Sequence, residues 1–405
     1  MGKTQVLSIG TAVPAFRSSQ AQTASFLKEV ARHSLAGSAD PATLDTDIRR
    51  ACVMIDHISH RSAIHHRHSV LSDYLGGPEE FHFFPPNWSL EPFPSTGQRM
   101  QVYQREALPL ARSAAERCLE QAKAVAREAI THLVVVSCTG FFAPGLDILL
   151  VRALGLRGDV QRQIIGFMGC YAAFNALRAA DSICQAQPDA VVLVVCVELC
   201  SLHYQREMNM DNIVANTLFA DGAAAVLLTR RAGAQGCLSL IDSESQLAAD
   251  DSQQQMTWTV TDTGFQMALS SEIPESLRRC VGSFVDTLLQ RNQITRAAVD
   301  FWAIHPGGRR IVDGLRAELA LSSEDTAASC EVLAEHGNMS SATVLFVLER
   351  CLRQGPPRGA LGVAMAFGPG LTLESMLFRV EGARIPAQVG RAAKVQEGPC
   401  PAPTM

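Results

Sequence analysis

Apolar positions in this sequence form two patterns that alternate along the chain. Short continuous runs rich in Val, Ile, Leu and Ala lie at 6–10, 132–138, 190–199, 223–229, 301–305 and 362–367. Because these runs are continuous, they predict strands that are buried on both faces. Segments with helical periodicity lie at 110–126, 146–156, 171–187, 275–291, 310–320 and 340–354. This alternation predicts an α/β fold with largely parallel strand pairing.

The order of these segments suggests two related halves. In the first half a strand ends in SCTGFFAPG and a later strand begins after LFADG, whereas in the second half strands end in HPGG and FGPG. We place the boundary near residue 232, in the turn-rich and charged stretch RRAGAQG. The sequence thus predicts an N-terminal half at 1–232, a C-terminal half at 233–381 and an unfolded tail rich in Pro, Ala and Gly at 382–405.

Composition excludes several classes of protein. The chain has 405 residues, of which 47% are hydrophobic and 19% charged, with a formal net charge of −5, as is typical of globular proteins. Lys and Arg residues are scattered singly, so we expect no nucleic-acid partner. No apolar run reaches the roughly 18–20 residues that span a bilayer, and the N-terminus lacks the layout of a signal peptide. We therefore expect a cytoplasmic enzyme.

Cysteine and histidine residues raise the question of disulfides or metal. The twelve cysteines include no CxxC pair, which favours reduced thiols. Five histidines cluster within twelve residues, at positions 57, 60, 65, 66 and 68. Their spacing fits no Cys or carboxylate partner set, so a solvated cationic surface is favoured over a metal site. We expect no bound metal.

Cys170 is the first candidate for chemistry. It lies in IIGFMGCYAAFNALRAAD, between an apolar stretch that stops at Gly169 and a helix that begins near Tyr171. The free amides and dipole of a helix N-terminus favour an anion there, so we expect a lowered thiol pKa and a thiolate near neutral pH. The alternative is a buried structural cysteine.

His305 and Asn338 are the candidate partners of Cys170. His305 closes the run FWAIH before Pro306, at the strand end where α/β proteins place their sites. An imidazole there can pair with a thiolate, move a proton or donate to an oxyanion. Asn338 follows a His-Gly turn before a helix, where it serves equally well as an N-cap. A neutral amide does not repel a developing enolate, which favours carbon–carbon chemistry over hydrolysis.

These residues and their surroundings resemble the type III polyketide synthases, the group of chalcone synthase and of the alkylresorcinol and alkylpyrone synthases. The resembling stretches appear in family order and span nearly residues 5–380: IGTAVP, SCTGFFAPGLD, GFMGCYAAFNALRAA, LVVCVELCS, LFADGAAAV, FWAIHPGG, HGNMSSATVLFVLE and AFGPGLTLESMLF. The resemblance implies a thiolase-like five-layered αβαβα fold with duplicated halves, a homodimer, and a buried site that the pantetheine arm of coenzyme A reaches through a tunnel. It implies no metal or redox cofactor.

The resemblance also implies residue roles. Cys170 would take the acyl starter as a thioester, while His305 and Asn338 would bind the malonyl thioester, promote its decarboxylation and stabilise the oxyanion of condensation. Phe219 would be a gatekeeping aromatic between tunnel and cavity, although ordinary core packing is an alternative. The positions expected to line the cavity are Met267 as the second gatekeeper, with Trp258, Cys200, His203 and Ala143.

The character of these positions favours one branch of the family. The text around Cys170 is similar to that of the bacterial alkylresorcinol and alkylpyrone synthases, which use long fatty acyl starters. Ala143 falls where plant enzymes insert a methionine across the dimer interface, and its small side chain would leave room for an alkyl chain. For coenzyme A we expect Arg61, Arg309, Gly308 and Ser340, with a solvated surface as the alternative for the arginines.

The sequence therefore predicts an acyltransferase that extends an acyl-CoA with malonyl-CoA and closes the product to an alkylpyrone or alkylresorcinol. Within the family, a chalcone-type, phloroglucinol-type or dihydroxyphenylacetate-type synthase with another starter is the alternative. A single condensation like that of ketoacyl-ACP synthase III, and a non-catalytic scaffold, are the alternatives from other classes.

Overall fold

The strands carry most of the core. A computed structural model describes residues 2–36, 42–234, 236–248 and 252–382, so all but the first residue of the predicted tail at 382–405 lies outside the described residues. The strands are β1 (Gln5–Ala12), β2 (Phe16–Ser19), β3 (His66–Ser69), β4 (His132–Ser137), β5 (Gln161–Gly166), β6 (Val191–Leu199), β7 (Asp221–Thr229), β8 (Leu238–Leu247), β9 (Met256–Thr261), β10 (Gly264–Leu269), β11 (Phe301–Ile304), β12 (Leu361–Gly368) and β13 (Thr372–Val380).

The helices cover both faces of the strands. They are α1 (Gln20–Ala36), α2 (Leu44–Arg61), α3 (Thr96–Gln121), α4 (Leu146–Ala153), α5 (Ala172–Ala186), α6 (Met210–Leu218), α7 (Ile273–Arg291), α8 (Arg309–Glu318), α9 (Ala327–His336) and α10 (Thr343–Arg353). Helix α3 begins well before the predicted segment at 110–126, because Ser95 and Gln98 form a capping box at its N-terminus. Across the described ranges, no helix combines the length and apolarity needed to cross a bilayer.

Strand pairing shows the duplication. Among the described residues, nine strands form one sheet in the order β11-β12-β13-β8-β1-β7-β6-β4-β5. Within it β4 and β6 pair in parallel, as do β11 and β12, and in each half two antiparallel pairings follow, β6-β7-β1 and β12-β13-β8. Within this sheet the two halves are joined where β1 pairs with β8, at Gln5↔Ser239 and Val6↔Leu238.

The prediction of largely parallel pairing is wrong. In the nine-stranded sheet of the described residues, β4-β5, β4-β6 and β11-β12 pair in parallel, and the other neighbours pair antiparallel. The antiparallel strands β8 and β13 carry polar residues such as Glu244 and Glu374, which hid them from a search for continuous apolar runs. The sheet is therefore mixed.

Three buried clusters define the layers. The central cluster contains helices α5 and α10. These helices pack with Val134 and Val194 of the first half and with Ala364 and Phe378 of the second. The alternate residues of the first-half strands pack with α1, α3 and α4, and those of the second-half strands pack with α7 and α8. Two helices thus lie between two sheet halves that are covered outside by helices. This confirms the predicted thiolase-like five-layered αβαβα fold with duplicated halves.

Candidate active site

Cys170 lies at the end of the central helix α5, in the middle of the molecule. It precedes the first helical residue by two positions and is only 6% exposed. The adjacent Gly169 has a φ of +88°, and a Cβ there would lie 2.4 Å from Cδ of Pro369. Glycine is therefore required for the chain to turn from the strand region into the helix at this point.

His305 and Asn338 come from the second half of the fold. His305 follows β11 and is 1% exposed, and both of its ring nitrogens lack a hydrogen-bond partner within the described part of the chain. Asn338 lies between α9 and α10, where its Oδ1 accepts from the backbone N–H of Ser340 at 2.8 Å. That bond fixes the amide orientation and leaves Nδ2 with only a 3.4 Å contact to the carbonyl oxygen of Gly307.

The three candidates face the same space. Cys170, His305 and Asn338 all line an outer cavity of about 840 Å³, a volume within the range of ligand-binding sites. The sulfur of Cys170 lies 4.0 Å from Oδ1 of Asn338. The structure therefore brings together a thiol, an imidazole and an amide from opposite halves of the fold. The alternative role of Asn338 as an N-cap is wrong, because the short helical turn at Ser340–Ala342 begins after Met339 and α10 begins after Ala342, and neither has a side-chain cap.

The expected thiolate is the feature that the structure contradicts. Burial raises the pKa of the Cys170 thiol to about 12, against opposing hydrogen bonds with Ser340 and Asn338. Burial also lowers the pKa of His305 to about 3. The prediction of a lowered thiol pKa is therefore wrong for the free protein, because the loss of solvation outweighs the helix N-terminus. In the free protein, a protonated Cys170 and a neutral His305 thus line the same cavity.

A second, inner cavity of about 60 Å³ lies on the other side of Cys170. Cys170, Phe219 and Met256 line both cavities, so Phe219 lies at their junction, as the resemblance implies. The other predicted wall residues that line the inner cavity are Cys200, His203, Trp258 and Met267. Phe265, two residues before Met267, lines it as well.

Hydrogen bonds fasten the inner wall to the loop after β4. Nε1 of Trp258 donates to the carbonyl oxygen of Cys138 at 2.8 Å. Nε2 of His203 lies 2.7 Å from the carbonyl oxygen of Thr139, while its Nδ1 accepts from the backbone N–H of Phe265 at 3.0 Å. The His203 ring also stacks on the Phe265 ring, with centroids 4.1 Å apart. Because burial lowers the pKa of His203 to about 3, this imidazole is a neutral cross-link.

The residues predicted to bind coenzyme A divide between the cavities. Arg61, Gly308 and Arg309 line the outer cavity, together with His57, Arg310, Asp211 and Asp313. Arg309 pairs with Asp313 at 2.9 Å, so the lining holds three arginines and two carboxylates. Ser340 instead lines the inner cavity beside Cys170, apart from these arginines. Ala143 is exposed and lines neither cavity. The binding roles of these residues stay predictions.

Sequence reasoning missed a buried carboxylate beside the site. Glu198 is fully buried at the end of β6, and one of its oxygens accepts from the backbone N–H of Cys138 and from the hydroxyl of Thr139, both at 2.9 Å. Its other oxygen accepts from the Ser341 hydroxyl. Burial raises the pKa of Glu198 to about 7, against these hydrogen bonds. The only indication in the sequence is a single acid in the apolar run AVVLVVCVEL.

Two further predictions concern metal and disulfides. Within the described residues, no group of three or more His, Cys, Asp or Glu side chains has the arrangement of a metal site. The eleven cysteines of the described chain are all free thiols. In the histidine-rich stretch, the ring of His68 lies against the ring of His336 at the end of α9, with ring centroids 5.7 Å apart.

Comparison with known proteins decides the family. A family model described as chalcone and stilbene synthases, N-terminal domain, matches residues 1–231, and its C-terminal counterpart matches residues 241–381. The chain belongs to the chalcone and stilbene synthase family. These enzymes are the type III polyketide synthases, and the resemblance stated from the sequence is confirmed. Polyketide synthases are acyltransferases that condense acyl groups with malonyl-CoA, so this chain is an enzyme of that class.

Individual members of the family share much of the chain. The alpha-pyrone synthesis polyketide synthase-like Pks18 of Mycobacterium tuberculosis is 37% identical over 288 residues, which cover 70% of this chain and 73% of the relative. The 3,5-dihydroxyphenylacetyl-CoA synthase of Streptomyces toyocaensis is 33% identical over 290 residues, covering 70% and 74%. The crystal structure of PKS-I from the brown alga Ectocarpus siliculosus superposes with a TM-score of 0.82 at 32% identity, covering 93% of this chain and 98% of that one.

Proposed function

We propose that this polyketide synthase extends a long-chain fatty acyl-CoA with malonyl-CoA by repeated decarboxylative condensation and closes the product to an alkylpyrone or alkylresorcinol. The observation that carries the proposal is that Cys170, which lines both cavities, shares the outer one with His305 and Asn338. The outer cavity admits the thioester, and the inner cavity lies behind the sulfur where a growing chain would extend.

Starter loading follows from the protonation states of the free enzyme. As the sulfur of Cys170 attacks the starter thioester, its proton passes to His305, whose unpartnered nitrogens leave a site for it. The coenzyme A thiolate then leaves and takes this proton from the imidazolium of His305, and the starter remains as a thioester on Cys170. A buried, neutral thiol requires such a base, because it is not ionised at neutral pH.

Extension uses the imidazole and the amide as donors. With an N–H of His305 and the Nδ2 of Asn338 on the malonyl thioester oxygen, loss of carbon dioxide leaves an enolate whose negative oxygen is held by both donors. The enolate carbon attacks the acyl thioester on Cys170, and the sulfur leaves as the new carbon–carbon bond forms. None of these steps requires a metal or a redox cofactor.

The starter is the finer part of the proposal. The similarity to Pks18, a protein named for alpha-pyrone synthesis, supports an alkylpyrone product. The apolar side chains of Met256, Phe219 and Phe265 around the inner cavity also suit an alkyl chain. We propose a homodimer as well, since Phe141 and Ile164 expose 61% and 53% of their surfaces beside the edge strand β5, and Ala143 follows in the same loop.

A second candidate has support of its own. The inner cavity of about 60 Å³ is far below the roughly 300–1,000 Å³ of typical ligand pockets, which favours a short starter. The similarity to 3,5-dihydroxyphenylacetyl-CoA synthase points in the same direction. In this candidate the enzyme uses a short or aromatic acyl-CoA, or malonyl-CoA itself.

One experiment separates the candidates. Purified enzyme is incubated with acyl-CoAs of two to eighteen carbons and isotope-labelled malonyl-CoA, and products are identified by mass spectrometry, with Cys170→Ala as the matched control. We expect labelled alkylpyrones or alkylresorcinols from long-chain starters and none from the control. Products from short starters alone would overturn the long-chain proposal. Light scattering of the same sample tests the dimer, and cell fractionation of the host tests the cytoplasmic location.

A further inference from the structure

Arg67 is a buried cation on the wall of the inner cavity. It lies in the short strand β3 and is only 7% exposed, yet it lines the same cavity as Cys170 and Phe219. Its side chain passes Gly337, which has a φ of +70° and whose added Cβ would lie 3.1 Å from Cγ of Arg67. The glycine between α9 and Asn338 therefore leaves the space in which this arginine reaches the site.

The protein satisfies only one end of the guanidinium group. Nη1 donates to the carbonyl oxygens of Asn216 and Phe219, at 2.6 and 2.5 Å. Nε is buried without a partner, and the described residues offer no acceptor to Nη2 and no carboxylate within 4.0 Å of the group. Asp221 attracts Arg67 from farther away, but its oxygens already accept from Ser201 and from the backbone N–H of Val70.

The charge persists despite burial. Burial lowers the pKa of Arg67 to about 10, so the side chain remains protonated at neutral pH. A buried charge with unsatisfied donors is costly to the folded state unless a ligand or water satisfies it. The Nε–Nη2 edge presents two parallel N–H groups, which match two oxygen atoms in one plane.

The chemistry of the reaction supplies such a pair of oxygens. Each extension of an acyl thioester by a two-carbon unit creates a 1,3-dicarbonyl, whose planar enol or enolate form presents two oxygens on one side. We propose that Arg67 binds this 1,3-dicarbonyl unit of the growing chain through its Nε–Nη2 edge and fixes which carbonyl lies near Cys170 for ring closure. This inference rests on the proposed function, because the unit arises only when the enzyme extends an acyl chain by decarboxylative condensation. Arg67 is then a specificity-determining residue.

A second buried arginine provides the matched control. Arg99 is 0% exposed, donates through Nε to Pro94 and through Nη1 to Leu202 and Tyr204, and has an unpartnered Nη2. It lines neither cavity, and its guanidinium carbon lies 4.8 Å from the centroid of the Phe93 ring, which compensates part of its charge. Replacement of either arginine removes a buried cation with carbonyl partners, but only one of them faces the inner cavity.

The test compares Arg67→Met, Arg67→Lys and Arg99→Met in the full-length enzyme. Acylation of Cys170 is measured by intact-protein mass, and the ratio of ring-closed to open-chain products is measured by mass spectrometry after quenching. We expect Arg67→Met to load the starter within about twofold of wild type but to lower the ring-closed fraction about tenfold or more. Arg67→Lys, which keeps the charge without the fork, should fall between, and Arg99→Met should keep the wild-type ratio.

The outcomes separate this inference from the proposed function. If wild type neither loads a starter nor consumes malonyl-CoA, the proposed function fails. If wild type makes cyclic polyketides and Arg67→Met makes them in the same ratio, only the role of Arg67 is overturned. If Arg67→Met does not fold, Arg67→Lys is used for the test. A wild-type ratio of ring-closed to open-chain products in the folded Arg67→Lys variant, with loss of that ratio in Arg99→Met, overturns the inference.

Discussion

The two cavities that meet at Cys170 are enclosed in different ways. The inner cavity has a small volume and a wall in which Trp258 and His203 are hydrogen-bonded to the loop after β4. The outer cavity is more than ten times larger, and its lining includes Arg61, Arg309 and Arg310 together with Asp211 and Asp313. Under the proposed function, the inner cavity would select the acyl chain by its shape, and the arginines of the outer cavity would hold the thioester by their charge.

The largest effect should come from residues on the side of the outer cavity. Asn338→Ala removes a donor to the malonyl oxygen, so we expect decarboxylation to fall about 100-fold while starter loading changes little. His305→Gln should lower both steps, because His305 also accepts the proton of the Cys170 thiol. Release of labelled carbon dioxide and the intact mass of the acyl-enzyme measure the two steps. An equal loss of both steps in Asn338→Ala would contradict the division of roles.

The next prediction concerns Glu198, which accepts hydrogen bonds from Cys138 and Thr139 in the wall of the inner cavity, and the pH dependence of the free energy of unfolding. Its pKa of about 7 in the folded protein exceeds the ordinary value of 4.5, so folding favours the protonated form. The contribution of this group to the free energy of unfolding is therefore full below about pH 4.5 and is lost as the pH rises to about 7, by up to about 3 kcal/mol. Denaturant unfolding of Glu198→Gln should lack this decrease.

The matched control for that measurement is Glu116→Gln, which changes a carboxylate on the outer surface of α3 that pairs with Arg112. Its pH profile of unfolding should follow wild type. A Glu198→Gln profile that also follows wild type would show that the carboxylate does not titrate in this range.

The wall itself should control product length. Trp258→Ala enlarges the inner cavity, so we expect the share of products with extra extensions to rise several-fold. Trp258→Phe keeps an aromatic ring and loses the bond to Cys138, which should cost about 1 kcal/mol of stability with a smaller change in products. Product masses and denaturant midpoints measure the two effects. The control is Trp88→Phe, in the outer core of the first half, and a product shift there would argue against a local role of Trp258.

The smallest effect should come from the mouth of the outer cavity. Arg61→Ala removes one exposed charge, so we expect the KM for malonyl-CoA to rise about two- to fivefold at low salt, with kcat unchanged. The difference should shrink as salt is added. Arg105→Ala, at an exposed arginine on α3, serves as the control. A change in kcat instead of KM would place Arg61 in the chemistry rather than in binding.

Sequence reasoning reached the fold and the central residues for a physical reason. Strands such as β4 and β6 are buried on both faces and therefore read as continuous apolar runs. The ends of such elements carry the candidate residues Cys170, His305 and Asn338. Each of them can be recognised from the residues next to it in the sequence. By contrast, β9 and β10 form a two-stranded sheet of mixed polarity whose pattern is no different from that of a loop.

The sequence gives the wrong pKa shift for Cys170 and misses the buried charged residues Arg67 and Glu198 for one shared reason. The sequence places Cys170 at a helix N-terminus but does not say how deeply the surrounding layers cover it, and that depth reverses the direction of its pKa shift. Arg67 stands in the stretch HHRHS, where it looks like one more surface charge, and Glu198 occurs singly in a strand. Burial of a charge depends on contacts between distant segments, and composition and periodicity carry no information on those contacts.

The backbone contact between Phe219 and Asn338 sets a limit on how such an enzyme can be diversified. The N–H of Asn338 donates to the carbonyl oxygen of Leu218 at 3.0 Å, and the N–H of Ala220 donates to that of Asn338 at 2.9 Å. The segment that carries Phe219 and the segment that carries Asn338 are thus held together by backbone hydrogen bonds. A change of side chain in either segment leaves these hydrogen bonds intact. An inserted or deleted residue would instead shift the Asn338 amide away from the Cys170 sulfur. Evolution of new products should therefore proceed at this place by substitution and not by changes of length.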